Sequence, residues 1–303
     1  MKMLPWRISG AQLHLPRDLE IAYVLGRMGA ATVADTYRLW YGSPDRARFG
    51  FGRLTRLGLI RSFPRENSIS PTWYSLTSRA AEWVAQEAGC DFRELRPLAG
   101  IRNFTLPALA TRNRLWTSLI LSCRNQPSVR LVIFQPEWEL RPIKSAEVPV
   151  IPDAVTVLEN RDVTGVHTRA WIWEMDTGSE RSAVWKSKAS KYADLRDRGP
   201  LYGLADWRLV ALVPSVRRAR TVARAVVSGG GGAFTFLSLI SALENGRAFS
   251  RELYPAPAIA GSLSAIPSVC LVDDIAPPIS EADQQTRSIA DRGVPSETGR
   301  ISP

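Results

Sequence analysis

Asp153, Glu174, Asp176 and Lys188 are the residues whose types and spacing could do chemistry together. Pro152-Asp153-Ala154 opens one apolar run and Trp173-Glu174-Met175-Asp176 closes the next. Side chains alternate along a strand, so Glu174 and Asp176 project from one face together with Ile172 and Ala170. Asp153 joins them if the two strands pair. Converging carboxylates are hard oxygen ligands suited to Mg2+ or Mn2+, which can polarise a phosphodiester and lower the pKa of bound water. The segment that follows carries Lys186, Lys188 and Lys191. Trp185, Lys188, Tyr192 and Leu195 recur at three- and four-residue intervals, which puts Lys188 on an apolar stripe where a carboxylate or a scissile phosphate would be its partner. Two plainer readings stay open: Pro-Asp-Ala and Asp-Thr-Gly are ordinary turn sequences, and Lys188 can snorkel past Trp185 to water. Glu139 is expected at an exposed edge. Trp171 and Trp173 are expected in the core, on the face opposite Glu174.

The elements that must position these groups read as strands at Val129–Phe134, Ala154–Leu158 and Arg169–Asp176, a polar helix over Glu180–Arg196, a strand at Arg208–Val213, a helix over Arg217–Val227 and a strand at Ala233–Leu237. A helix over Leu109–Cys123 precedes them. Strands flanked by helices predict a mixed α+β or α/β domain over residues 105–255. Ser228-Gly229-Gly230-Gly231-Gly232 reads as a flexible turn; no Lys-Ser/Thr follows the glycines, so it is not a phosphate-binding loop.

An earlier module, residues 15–95, reads as three helices and a hairpin. Arg17–Met28 has helical apolar spacing and is broken by Gly29; Ala31–Tyr41 follows and ends at Gly42. Ser43-Pro44-Asp45 then supplies an N-cap, an N1 proline and an acid at the positive end of a third helix, running to Leu57. That helix carries Arg46, Arg48, Arg53 and Arg56, with Phe49, Phe51, Leu54 and Leu57 available for an apolar side. Strands at Gly58–Phe63 and Thr72–Leu76 enclose a polar loop with Arg65. This order predicts a winged helix-turn-helix whose third helix enters the major groove of double-stranded DNA and whose wing touches the backbone.

Charge favours a polyanionic partner: 39 Lys and Arg stand against 29 Asp and Glu in 303 residues, a formal +10. Residues 1–66 hold eleven bases and five acids. The tail, residues 275–303, is poor in large apolar groups and is expected to be disordered. Cys90, Cys123 and Cys270 form no CxxC pair and only two histidines are present, which argues against a disulfide framework, a zinc module or a histidine triad. Neither a signal peptide nor an apolar run of membrane-spanning length is visible, so a cytoplasmic protein without a membrane partner is expected.

Together, Pro152-Asp153-Ala154, Glu174-Met175-Asp176-Thr177-Gly178-Ser179-Glu180, Lys188-Ala189-Ser190-Lys191-Tyr192 and the N-terminal helical pattern resemble the plasmid replication-relaxation family, over about residues 17–245. That resemblance implies a winged helix joined to a domain similar to the PD-(D/E)XK restriction-endonuclease fold. It implies that Asp153 and Glu174 match the two metal-binding acids of the nuclease motif, with Mg2+ or Mn2+ as cofactor. The motif expects lysine two residues after the second acid. Asp176 stands there instead, so Lys188 on the following helix takes the role of a migrated lysine. The resemblance implies a DNA-binding protein of a plasmid or mobile element that cuts or nicks DNA, or else a regulator or assembly factor with an inert nuclease-like domain. Other replication or mobilisation proteins and a second copy of the chain are the expected protein partners.

Overall fold

The computed structural model describes residues 17–63, 71–98, 106–141, 148–162, 165–245 and 253–260. Arg65 and the 275–303 tail lie outside the described residues. The described residues form a mixed α+β protein with two sheets, the larger of them mixed in strand direction.

The first helix, α1 (Arg17–Met28), ends as its sequence predicts. The second differs: Ala31–Thr32 (β1) pairs with a later strand, and the helix proper is α2 (Val33–Trp40). A capping box decides this boundary. The Thr32 hydroxyl accepts from the Asp35 N–H while the Asp35 carboxylate accepts from Thr32 N–H, so Thr32 must be extended. Then come α3 (Pro44–Arg56), capped by Ser43, and the hairpin strands β2 (Ile60–Phe63) and β3 (Trp73–Leu76), which form a sheet in the order β1-β3-β2. Helix α4 (Ser78–Ala88) stops at Gly89, whose positive φ of 64° suits a left-handed cap.

Beyond α5 (Leu106–Asn125), strands β4 (Val129–Pro136), β5 (Ala154–Asp162), β6 (Gly165–Met175), β7 (Trp207–Val213), β8 (Thr235–Leu239) and β9 (Tyr254–Pro255) lie side by side in chain order. The pairs β6/β7 and β7/β8 are parallel, and the others are antiparallel. The crossovers between the parallel strands are α7 (Ser182–Arg198) and α8 (Val216–Ser228). The short helices α6 (Glu137–Leu140) and α9 (Ala256–Ala260) flank the sheet.

Side-chain alternation divides the sheet between two covers. On one face Ala170, Ile172 and Leu209 pack with Tyr192 and Leu195 of α7, while Ala211, Val213 and Leu237 pack with Val222 and Val226 of α8. On the other, Trp171, Trp173, Val210 and Leu212 share a single core with Leu115 and Leu119 of α5 and with Leu25, Phe51 and Leu76 of the N-terminal module. The two modules read from the sequence, residues 15–95 and 105–255, are therefore joined by continuous apolar packing.

Polar groups fasten the same junction. Asn113 donates to Ala30 O at 2.7 Å, Arg112 to Met28 O at 3.0 Å and Arg124 to Leu39 O at 2.6 Å, so cations and an amide from α5 meet carbonyls at the ends of α1 and α2. Arg27, which counts toward the basic charge of the N-terminal module, is only 4% exposed. It pairs with Glu139 at 2.9 Å and with Glu94 at 3.4 Å. This corrects the expected exposed edge position of Glu139: its side chain is 7% exposed because it supplies the counter-charge that a buried arginine requires. Burial pushes the Glu139 carboxyl up to about 7, against the pull of Arg27.

Candidate functional site

On α3, Ala47, Phe51 and Leu54 are buried and hold the helix to the module's core. The sequence offered four apolar residues for that side, but only Phe51 and Leu54 serve it. Phe49 is 71% exposed and Leu57 61% exposed, because a helix of this amphipathic spacing can bury only one stripe. Gly50 lets α3 approach the Tyr41 ring closely: a Cβ there would collide with the Tyr41 hydroxyl.

The α3 arginines have different surroundings. Arg46 and Arg56 are exposed and form no ion pair with a described residue. Arg48 is exposed and bridges Asp45 three residues earlier, a surface pair that contributes little to stability. Arg53 is partly buried against Asp18 of α1 and ties the two helices together. The outward face of α3 is thus cationic with one exposed aromatic ring, Phe49, which its apolar character had made available for the buried side.

At the carboxyl end of β6, the register Ala154↔Trp173 sets Asp153 beside Glu174 on the face covered by α7. Glu174 is buried, and both its oxygens are occupied: Oε1 accepts from Tyr192 Oη at 2.7 Å and Oε2 from Lys188 Nζ at 2.8 Å. Lys188 also donates to Glu180 Oε1 at 2.8 Å, and its ammonium lies 5.3 Å from the centre of the Trp185 ring. Burial works against the Lys188 charge, but Glu174 and Glu180 outweigh it and hold its pKa above that of an ordinary lysine. Asp153 accepts from Met175 N–H at 2.7 Å through one oxygen; the other has no hydrogen-bond partner among the described residues. Burial, then the neighbouring Glu174, push the Asp153 carboxyl up to about 7.

Asp153, Glu174 and Lys188 are therefore brought together, and Asp176 is directed elsewhere. Its Oδ2 accepts from Arg218 Nε of α8 at 2.6 Å and from Trp185 Nε1 at 3.0 Å, while Oδ1 accepts from Gly178 N–H at 2.6 Å. β6 ends at Met175, so the strand alternation that would have aligned Asp176 with Glu174 no longer applies. Arg218 was the missed partner. Its only sequence signal was a cation in the first turn of a helix, where the dipole disfavours one.

Residues 23–205 match the replication-relaxation family model. The chain belongs to that family. No curated protein and no solved structure matches it. The family match takes in all of α3, Asp153, Glu174 and Lys188 and ends before β7. No helix among the described residues of this replication-relaxation protein is long and apolar enough to cross a membrane.

The metal implied by the nuclease resemblance can be set against this arrangement. Hard divalent cations take six or more oxygen ligands. Here one carboxylate is satisfied by a lysine and a phenol, a second is neutralised by Arg218, and the third has one oxygen to offer. Among the described residues no group of three or more His, Cys, Asp or Glu is placed to hold a metal ion. As arranged, the cluster does not fit Mg2+ or Mn2+. Lys188 would have to release Glu174 first.

Proposed function

We propose that this replication-relaxation protein is a DNA-binding protein of a plasmid or other mobile element, acting in replication, relaxation or mobilisation. Residues 15–95 form a winged helix-turn-helix with α3 as recognition helix, and residues 105–255 form a restriction-endonuclease-like scaffold. One observation carries this reading. A helix seated by Phe51 and Leu54, in the order α1-β1-α2-α3-β2-β3, presents Arg46, Arg48 and Arg56 outward beside Phe49. Cations on such a helix meet phosphates and guanine edges in the major groove, and an exposed ring meets thymine methyls. Arg53 acts by holding α3 against α1.

In this reading the Asp153, Glu174 and Lys188 cluster is a charge-paired remnant of nuclease geometry that stiffens the scaffold. Double-stranded DNA, other replication or mobilisation proteins and a second copy of the chain are the proposed partners. Titration of a labelled duplex with the Arg46→Glu, Arg56→Glu double variant tests the α3 assignment. At least a tenfold loss of affinity is expected; unchanged affinity would overturn it.

A second reading, a nuclease or nickase in which Asp153 and Glu174 hold Mg2+ or Mn2+ once Lys188 has released Glu174, is favoured by the unpartnered Asp153 oxygen beside a second acid. Mn2+-dependent nicking of supercoiled DNA that disappears in both Asp153→Ala and Glu174→Ala, with duplex binding intact, would establish it over the scaffold reading.

A further inference from the structure

Helix α8 contains four arginines and no acid. Its apolar stripe, Ala219, Val222, Ala223 and Val226, is buried against the sheet. Arg218 turns inward to Asp176. The remaining three, Arg217, Arg220 and Arg224, are exposed at spacings of three and four and so share one outward face. None of them forms an ion pair with a described residue.

Helix α7 extends this face. A Cβ at Gly229 would lie 2.5 Å from the Lys186 carbonyl oxygen, so glycine lets the end of α8 close directly onto α7. The glycine run is therefore a packing device at this point and not merely a flexible turn. It sets exposed Lys186 beside Arg224, across a shallow groove lined also by Ser182 and Thr221. The acids of α7, Asp194 and Asp197, lie more than two turns further along the helix. Exposed cations with no ion-paired acid among the described residues, flanked by hydroxyls, match a phosphate backbone in charge and in hydrogen-bonding capacity.

We infer that the α7–α8 face is a second DNA surface, which grips the phosphodiester backbone of duplex DNA through Lys186, Arg220 and Arg224 without reading bases. It lies on the sheet face opposite the N-terminal module and does not depend on the α3 assignment. Uncompensated arginines on both sides of the sheet give the chain two separate contacts with DNA.

The test compares the full chain with a Lys186→Ala, Arg220→Ala, Arg224→Ala variant in duplex titrations across a range of salt concentrations. Each lost phosphate contact lowers the slope of log affinity against log salt by about 0.9. A slope reduced by roughly 2 to 3, with the same proportional loss for duplexes of unrelated sequence, is expected. Arg220→Lys with Arg224→Lys should keep the wild-type slope, which separates lost charge from lost folding. A triple variant with unchanged slope and affinity overturns the inference even if Arg46→Glu, Arg56→Glu abolishes binding. Retained affinity in that α3 variant, alongside a reduced slope in the triple variant, overturns the α3 assignment and leaves this one standing. Loss of binding to vesicles rich in phosphatidylserine, with duplex affinity unchanged, would assign the face to membranes and overturn it.

Discussion

The cations of α3 and Lys188 of α7 begin as similar residues on amphipathic helices and end in opposite conditions. Arg46 and Arg56 keep their hydration and have no ion-pair partner among the described residues. Lys188 is enclosed by Glu174, Glu180 and the Trp185 ring. A charge left unpaired after folding is available to a ligand, whereas one already paired inside belongs to the fold, because removing its partner exposes the full cost of desolvation. Helix α8 contains both kinds: Arg218 is committed to Asp176, while Arg220 and Arg224 are not.

That contrast is broken most severely at the buried pairs. Lys188→Ala leaves the Glu174 carboxylate enclosed with only the Tyr192 hydroxyl and is expected to cost about 3 to 5 kcal/mol, read as a lower midpoint in urea unfolding. Arg27→Ala removes the cation between Glu139 and Glu94 and should cost about 3 kcal/mol; Glu139→Gln in that background should restore part of the loss.

The acids sharpen the comparison through pH. A carboxyl whose folded pKa lies above its ordinary value binds its proton more tightly in the folded chain, so its contribution is largest at low pH and is lost as pH rises. Asp153 and Glu139, at about 7, place that loss between roughly pH 4 and 7. Thermal unfolding of Asp153→Asn should therefore show a shallower fall across this window and a gain on the order of 2 kcal/mol at pH 8. At the other extreme, Arg46→Ala with Arg56→Ala should change stability by less than about 0.5 kcal/mol, since surface substitutions away from packed features are nearly neutral.

Much of the secondary structure was legible because periodicity is local. The stop of α1 and the Ser43-Pro44 entry to α3 follow from spacing and capping residues, and the strand carrying Glu174 was legible although it runs Gly165–Met175 and not Arg169–Asp176. The pairing of Asp153 with Glu174 was legible as a condition, met once β5 and β6 joined in antiparallel register. Other positions were not legible. Phe49 looked apolar enough for the core, but α3 buries only one stripe and leaves it outside; Glu139 looked polar enough for the surface and Arg27 basic enough for a DNA footprint, and each of these two is placed otherwise by a partner distant in sequence.

The sequence by itself determined the helices and strands, the basic balance and the acids and lysine that share one neighbourhood, because these depend on residue type and short-range spacing. Only the tertiary structure decided which charges were consumed. Arg218 could take Asp176, and Tyr192 and Lys188 could saturate Glu174, only after α7 and α8 had crossed over the sheet. Charge pairing at hydrogen-bond distance depends on contacts between segments, and periodicity along one segment carries no information about which residue of another will arrive there.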